Sequence, residues 1–511
     1  MSVYSPGVVA AVRELLDIGI ALSAEKNYKI LLERILSESR RITACDAGTL
    51  YLVKSGKLSF EIIQNDTLNI HQGGQGEPIE LPPVDIAETA AAGFCALHNT
   101  VINIPDVYKP EISGIDFTGP RRYDALTGYH TISMMVIPLE NHEGAIIGVL
   151  QLLNAQDEEG AVIPFAAYLE PVVRAIASQA AVAISNMRYV EEIDNMLQSF
   201  VRVISIAIDE RSSYNANHTR NMATLTGKFA NYIKTQQDKA LALELSDKDV
   251  EQLIMAAWLH DIGKIAVPLS IMDKPSRLGQ RYELVKNRLF AICEQRKVKA
   301  IKEMLQQEKP LRTKDSIVDL WDRVAAIQKE MDHINEFVDR VNGPNCFIDD
   351  PIREEIREIA DRTWLGTSGF EENWLLPEEV EALQVPRGTL TDLERRVMEN
   401  HVGIAQRMLE QIPFGEKYVK VPEWACAHHE FLDGSGYPQN LHADELPLPV
   451  RILTIMDIYD ALTAQDRPYK KALPKERAFA IMEEMANAEK LDGELLRLFK
   501  QSRIWEEKQY V

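Results

Sequence analysis

The stretch AAWLHDIGK, residues 256–264, places the adjacent pair His260-Asp261 at the end of an apolar helix. Outward from it, the sequence after Asp209 is predicted to be helical, with loops at the residues that carry chemistry. Neutral imidazoles and carboxylates suit Fe, Mn, Zn or Ni, and helices can present such ligands inward from several directions. The stretch therefore predicts an all-α C-terminal domain with a candidate metal site.

Other elements of the same half hold further candidate ligands. They are His218 at a predicted helix start, His401 in the helix DLERRVMENHVGIAQRML, the pair His428-His429 in HHEFLDGSGYP, and Asp457 in the helix RILTIMDIYDAL. A single histidine on an apolar helix is usually a core residue, whereas adjacent His-His and His-Asp pairs beside glycine-rich turns are hard to explain as packing. A mixed set of this kind can hold two ions when one carboxylate bridges them.

Three of these segments together resemble a known signature. HDIGK at 260–264, HHEFLDGSGYP at 428–438 and DIYDALTAQDRPYK at 457–470 are similar to the HD-GYP signature of bacterial cyclic-di-GMP phosphodiesterases. The resemblance covers about 209–280 and 387–500. It implies an HD-type fold, two divalent metal ions (Fe or Mn), and metal-dependent hydrolysis of cyclic-di-GMP.

The resemblance also implies a role for each matching residue. The metal ligands form two sets bridged by Asp261: His218, His260, Asp261 and Asp457 for one ion, and His401, His428 and His429 for the other. Lys264 matches the family lysine that contacts the scissile phosphate. Arg467 and Lys470 match a basic pair that meets the ligand's other phosphate or guanine.

The loop HHEFLDGSGYP has a second group of candidate residues. Gly434 and Gly436 favour a tight turn next to the paired histidines. Tyr437 either stacks on or hydrogen-bonds to the substrate, or anchors the loop. Glu430 and Asp433 either orient the imidazoles or cap the loop.

The expected number of metal ions is two. Some members of the family hold a third ion through a glutamate one helical turn before the first histidine. Tyr214 occupies that position here and is a poor ligand at neutral pH, while Glu210, two turns away, is typical of a solvated helix face. A second cleavage would then have less electrostatic help, so the main expected product is the linear dinucleotide pGpG.

A long segment interrupts the resemblance. The family's linking phrase is split between KPSRLG at 274–279 and RGTLTDLERRVMENH at 387–401. Residues at about 280–386 are therefore predicted to be a helical insertion. It is either a peripheral addition, or a lid, dimer contact or partner surface.

The N-terminal part is predicted to be an α+β domain, residues 10–169. A helix at about 10–40 precedes two antiparallel hairpins, at 49–64 and 131–154, and a short helix is expected at 84–97. GVLQLLNAQ at 148–156 resembles a GAF domain strand. Ala155 stands where cyclic-nucleotide-binding members have lysine, so this domain would bind another small ligand or serve only in dimerisation.

Residues 170–208 are predicted to form one long helix connecting the N-terminal domain to the HD-GYP domain at 209–511. Apolar residues recur along it in steps of three and four, which is typical of a coiled coil. They are Ile176, Ala180, Ala183, Met187, Val190, Ile193, Leu197, Phe200 and Ile204. This stripe favours a parallel pair of helices in a homodimer, and the alternative is one helix packed on its own domain.

Composition excludes several classes of protein. The 511 residues are 46% hydrophobic and 26% charged, which excludes wholesale disorder, and the net charge of −21 argues against binding to long nucleic acid. The sequence contains no signal peptide and no apolar run long enough to span a membrane. Five scattered cysteines predict reduced, mostly buried thiols in a cytoplasmic protein.

The leading hypothesis is a phosphodiesterase that linearises cyclic-di-GMP under the control of a GAF sensor domain. A catalytically weak receptor that binds the dinucleotide is one alternative. A phosphodiesterase for another cyclic dinucleotide, such as cyclic GMP-AMP, is the other, because the motifs do not distinguish the two purines.

Overall fold

The computed structural model describes residues 16–109, 118–211, 217–235, 245–306, 314–366, 369–464 and 472–506. The chain divides into two compact units, Met1–Met196 and Leu197–Val511. Among the described residues, no helix combines the length and apolar character that a membrane span needs. All five cysteines are free thiols, and four of them are buried, as predicted.

The helices of the first unit surround its sheet. They are α1 (residues 16–24), α2 (Tyr28–Thr43), α3 (Ala91–His98), α4 (Thr118–Thr127) and the first part of α5 (Leu169–Asp209). The single helix predicted at about 10–40 is wrong from residue 25 to 27, where the chain leaves the helix. Asn27 is extended and its side chain accepts hydrogen bonds from the Lys29 and Ile30 amides, which starts α2 as a separate helix.

The sheet of the first unit is antiparallel, in the order β3-β2-β1-β7-β6-β5, with β4 paired to β2 and β8 to β7. Its strands are β1 (Cys45–Lys54), β2 (Lys57–Asn65), β3 (Ile70–Gly73), β4 (Val84–Asp85), β5 (Ile102–Ile104), β6 (Met134–Glu140), β7 (Ile146–Gln156) and β8 (Val162–Ile163). Both predicted hairpins are confirmed. The predicted helix at 84–97 begins later, because Val84 and Asp85 pair with β2.

Alternation along the strands buries both faces of this sheet. On one face, α1, α2 and α5 pack through residues such as Leu22, Leu36 and Ile176. On the other face, α3 packs through Ala92 and Cys95. The predicted α+β architecture is confirmed.

The second unit is mainly helical, as predicted. Before the insertion it contains α6 (His218–Thr235), α7 (Asp247–Leu259), a 3₁₀ turn (Ile262–Ala266), α8 (Leu269–Met272) and a second 3₁₀ turn (Gly279–Arg281). The predicted insertion contains α9 (Tyr282–Leu305), α10 (Lys314–Asn342), α11 (Asp350–Ala360), a small hairpin of β9 (Thr363–Leu365) and β10 (Glu371–Asn373), and α12 (Pro377–Leu383).

After the insertion the chain returns to the main helical core. These elements are α13 (Asp392–Glu399), α14 (His401–Leu409), α15 (Val421–Ala425), α16 (Leu448–Thr463), α17 (Lys475–Asn487), α18 (Gly493–Ser502) and a 3₁₀ turn (Ile504–Glu506). Helices α6, α7, α14, α15 and α16 share one hydrophobic cluster. The predicted insertion has a hydrophobic cluster of its own, between Leu278 and Leu383.

Arg277 joins the two ends of the insertion. Its side chain is fully buried and its guanidinium donates to four backbone carbonyls, those of Val341, Gly343, Cys346 and Val385. Burial lowers the pKa of Arg277 from its usual value. This arginine, just before the insertion, therefore holds its beginning beside residues 341–346 in its middle and beside Val385 near its end.

Replacing Arg277 with methionine is expected to lower the free energy of unfolding by about 3 kcal/mol, because four buried carbonyls would lose a charged donor. Denaturant unfolding of the full chain measures this change. The matched control is Arg281→Met, since Arg281 is exposed. Equal stability of the two variants would show that Arg277 does not hold the insertion.

Candidate metal centre

The chain brings the predicted metal ligands together from five separate elements. His260 caps the C-terminal end of α7, and Asp261 precedes the 3₁₀ turn Ile262–Ala266. His401 begins α14, and the pair His428-His429 follows α15. His218 begins α6 and Asp457 lies on α16, so residues far apart in sequence meet in one place.

Gly263 makes the meeting of two of these elements physically feasible. A Cβ atom at this position would overlap the carbonyl oxygen of His401 and the amide nitrogen of Ala405. The 3₁₀ turn can therefore lie directly against the start of α14 only because residue 263 has no side chain. This contact places His260 and Asp261 beside His401.

The seven predicted ligands form two groups of closely spaced donor atoms, within 4.8 Å in each group. We call them the His218 group (His218, His260 and Asp457) and the His401 group (Asp261, His401, His428 and His429). The structure brings all seven predicted ligands together, but the closely spaced donors place Asp261 with the three imidazoles of the His401 group, whereas the sequence analysis assigned it first to the His218 set.

Asp261 lies between the groups and presents one oxygen to each. Its Oδ2 atom lies 3.1 Å from Nε2 of His260 and 3.6 Å from Nε2 of His218. Its Oδ1 atom lies 3.3 Å from Nε2 of His401 and 3.9 Å from Nε2 of His428. This is the arrangement that a bridging carboxylate requires.

Backbone carbonyls orient three of the imidazoles. Nδ1 of His260 contacts the Ala257 carbonyl at 2.8 Å, that of His401 contacts Met398 at 2.7 Å, and that of His428 contacts Ala425 at 2.6 Å. Because a carbonyl only accepts, each Nδ1 is the protonated nitrogen and donates. The Nε2 lone pair of each ring is left to point into the centre, as in metal-binding histidines.

Three polar atoms at the centre are buried and have no hydrogen-bond partner among the residues that the structure describes. They are Oδ1 of Asp261, Nε2 of His401 and Nε2 of His428. Buried acceptors without partners are costly unless another group satisfies them. All three are atoms that coordinate metals, so the residues fit a divalent ion.

The electrostatic environment also favours the protonation states in which these side chains bind a metal ion. Burial alone would raise the pKa of Asp261, but the adjacent His260 and Lys264 hold it well below the usual carboxyl range. Burial and the neighbouring His429 hold the pKa of His428 well below its usual value. Burial lowers the pKa of His429 to about 4. These residues are therefore a carboxylate and two neutral imidazoles at pH 7.

His218 is held by Asp460, a residue outside the predicted set of ligands. Its Nδ1 lies 2.6 Å from Oδ2 of Asp460, a fully buried carboxylate one turn beyond Asp457 on α16. Although burial opposes the charged form, hydrogen bonds with Asp457 and Asp460 raise the pKa of His218 to about 10. A metal ion at Nε2 would thus displace a proton. The spacing of Asp457 and Asp460 on one helix face was the available signal.

The structure describes some of the predicted substrate residues. Nζ of Lys264 donates to Oδ2 of Asp261 at 2.5 Å. The ring of Tyr437 lies 4.7 Å from that of His429, at the edge of the centre. Arg467 and Lys470, and Tyr214 at the third-ion position, lie outside the described residues. Glu210 is exposed, as predicted.

The loop after the paired histidines is ordered by its own side chains. Glu430 is buried and accepts from the amides of Gln439 and Leu441. Asp433 accepts from the amide and hydroxyl of Ser435. In these contacts both residues cap the loop, which favours that alternative over orientation of the imidazoles.

Comparison with protein families is consistent with this architecture. The GAF domain family matches residues 28–184. Two HD domain families match the second unit, one at residues 215–327 and the other at 373–495. This chain joins a GAF domain to an HD domain. The first HD match extends into the predicted helical insertion, to residue 327, and the second begins within it, at residue 373.

Curated relatives match parts of this GAF–HD chain. The 3'3'-cGAMP-specific phosphodiesterase 3 of Vibrio cholerae is 37% identical over 24% of this chain and 26% of its own length. The cyclic di-GMP phosphodiesterase response regulator RpfG of Xanthomonas campestris is 31% identical over 47% of this chain and 60% of its own length. The chain thus spans less than two thirds of either relative.

Solved structures also include similar chains. A GAF domain from an Acinetobacter phosphoenolpyruvate-protein phosphotransferase matches 36% of this chain and 98% of its own length, with 11% identity and a TM-score of 0.27.

Proposed function

We propose that this GAF–HD protein is a metal-dependent phosphodiesterase that hydrolyses a cyclic dinucleotide. The observation that carries the proposal is the convergence of seven buried or half-buried ligands in two groups around Asp261. The names of the relatives, which act on cyclic-di-GMP or on 3'3'-cGAMP, support this class of substrate. Our leading substrate is cyclic-di-GMP, with pGpG as the product.

The proposed centre holds two divalent ions, one at each group. The mixed imidazole and carboxylate donors suit Fe or Mn. When bound, such a pair activates water and neutralises charge on the phosphodiester. Hydrolysis then forms a bond between the water oxygen and phosphorus and breaks the bond from phosphorus to the ribose 3′ oxygen.

The chain's own residues supply the rest of the chemistry. Lys264, beside Asp261, offers a cation to the non-bridging oxygens of the scissile phosphate, where negative charge develops. Tyr437 lies against His429 and can stack on a guanine at the edge of the centre. Arg467 and Lys470 are proposed to bind the second phosphate or guanine.

The experiment that tests this function compares two substrates. Protein purified anaerobically and loaded with Fe or Mn is incubated with cyclic-di-GMP or 3'3'-cGAMP, and products are identified by chromatography. We expect faster turnover of cyclic-di-GMP, with pGpG accumulating and GMP forming slowly. Faster turnover of 3'3'-cGAMP would identify that dinucleotide as the preferred substrate. Tight binding of either dinucleotide without turnover would show that the protein is a receptor.

A homodimer through α5 is part of the proposal. Beyond the first half of the helix, Val190, Ile193 and Phe200 are 68%, 61% and 67% exposed, although they continue the predicted apolar stripe. Leu197 is different, since it packs against the core of the second unit. An exposed stripe with this spacing fits the same face of a second copy.

The double substitution Ile193→Asp and Phe200→Asp is expected to convert the dimer into monomers, because it places charges in the apolar stripe. Light scattering measures the mass in solution. Glu192→Ala, on the same helix, is the control and should stay dimeric. If the double variant remains a dimer, the dimer interface does not lie on this stripe of α5.

The GAF domain is proposed to regulate the HD domain, through a small-molecule ligand or through dimerisation alone. Ala155, at the position of the family lysine, is buried in the core of the first unit. The side-chain oxygen of the adjacent Asn154 accepts hydrogen bonds from the backbone amides of Ile132 and Ser133. These contacts give this strand a structural role and favour a ligand other than a cyclic nucleotide.

A further inference from the structure

The end of helix α5 contacts the elements that carry the His218 group. Ser205 is buried on the last turns of α5, and its hydroxyl donates to the carbonyl of Trp258 at 2.5 Å. Trp258 lies on α7, two residues before His260. This bond fixes the end of α7 from which His260 extends.

Asp209, the last residue of α5, contacts the beginning of α6. Its carboxylate is buried and accepts two hydrogen bonds from Thr219, one from the amide at 3.1 Å and one from the hydroxyl at 2.8 Å. Thr219 directly follows His218. Asp209 therefore caps the first turn of α6 and fixes the backbone from which His218 extends.

Arg211, just beyond α5, contacts the 3₁₀ turn. Its guanidinium donates to the carbonyls of Lys264 and Ile265, at 3.1 Å for Lys264. The same short segment of chain thus contacts the backbone next to His218, next to His260 and at Lys264.

The His401 group is fixed by other partners. The rings of His401 and His428 are oriented by Met398 and Ala425. The carbonyl of His428 accepts from the hydroxyl of Thr454 on α16. Among the described residues, the contacts that we identify from the end of α5 and from Arg211 therefore reach the His218 group and Lys264, the partner of Asp261, and do not reach the three imidazoles of the His401 group.

We propose that Ser205, Asp209 and Arg211 are positioning residues, which align the His218 group and Lys264 while leaving the three imidazoles of the His401 group unaffected. This inference rests on the proposed function and identifies the part of the centre that α5 controls. The first half of α5 is buried in the core of the first unit, through residues such as Val173 and Ile184. A shift of this continuous helix would thus reach one metal ion and the phosphate-binding lysine first.

Metal titration of Asp209→Ala tests the asymmetry. In calorimetry of the metal-free full chain with Mn²⁺, we expect one ion to bind as in the wild type and the other to bind 10- to 100-fold more weakly, roughly the cost of losing an outer-shell partner. Asp209→Asn keeps an acceptor for the Thr219 amide and should restore much of the affinity. Unchanged affinity for both ions, or equal weakening of both, would overturn the proposal.

The control removes a helix cap elsewhere in the same unit. Asp349→Ala deletes the side chain that accepts from the Ile352 amide at the start of α11, and it should leave both ions unaffected. If circular dichroism shows that the Asp209→Ala protein is unfolded, the same Mn²⁺ titration is carried out on Ser205→Ala. Weaker binding of only one of the two ions would then support the proposal. Failure of the proposed function would appear already in the wild-type chain, as absent turnover or metal binding, whereas failure of this inference appears only in the variants.

A double-mutant cycle tests Arg211. Arg211→Ala should lower kcat and leave the metal content unchanged. In the Lys264→Ala background the same change should lower kcat little further, because Arg211 is proposed to act by aligning the Lys264 ammonium group, which that background lacks. Arg211→Lys, which keeps the charge but not the fork of donors, should recover only part of the rate. Additive losses in the double variant would show that Arg211 does not act through Lys264.

Discussion

Replacing Asp261 with alanine is expected to lower turnover by more than about a thousandfold. Loss of a single electrostatic donor lowers kcat by about 10²- to 10³-fold, and this change removes more than one such contribution. The physical reason is the position of Asp261 between the two groups, with one oxygen directed to each. Removal of a bridging ligand disorganises both metal sites. Elemental analysis should therefore show loss of metal together with loss of activity.

The fold is expected to survive this change. Oδ1 of Asp261 has no hydrogen-bond partner among the described residues, and Lys264, which donates to Oδ2, is partly exposed and can bind water instead, so loss of the carboxylate costs the metal-free protein little. The matched control is Asp322→Ala, an exposed carboxylate on α10. His260→Ala should likewise abolish hydrolysis and leave the fold intact. An Asp261→Ala protein with full metal content and activity would show that the site assignment is wrong.

Lys264→Ala is expected to lower kcat by about 10²- to 10³-fold, the effect of removing one donor aimed at developing charge. Metal content should not change, because Lys264 is not among the metal ligands that we assign. Steady-state kinetics together with elemental analysis separates these effects. Lys302→Ala, at an exposed position on α9, is the control.

The result that would contradict this role of Lys264 is a loss of metal from the variant. Lys264 helps to hold the pKa of Asp261 low, so a structural lysine would show itself through weaker metal binding. A variant with full activity would exclude any role of Lys264 at the phosphate.

The convergence of the seven candidate ligands was predictable from sequence because several of them occur as adjacent pairs in unusual sequence contexts. The pairs His260-Asp261 and His428-His429 adjoin glycine-rich turns, which packing does not explain. The residues that hold the ligands carry weaker signals. The spacing of Asp457 and Asp460 places both on one helix face, but the contact of Asp460 with His218 joins parts of the chain that only the folded structure brings together.

Local structure was least predictable where tertiary contacts or single caps decide it. The strand β4 replaces the first residues of a predicted helix because Val84 pairs with Leu58 of β2. The break between α1 and α2 depends on the side chain of Asn27, a capping residue that periodicity alone does not reveal. The insertion is recognisable in the sequence because it interrupts a motif. The contacts of Arg277 with backbone carbonyls are not predictable in this way, since any residue type can supply a backbone carbonyl.

Anomalous diffraction from crystals of the Mn-loaded protein tests the central claim most directly, because it locates each ion without reference to activity. The two-metal account predicts two peaks roughly 3.5–4 Å apart, on either side of Asp261, one beside the His218 group and one beside the His401 group. A single peak, a third peak, or peaks away from these seven residues would contradict it.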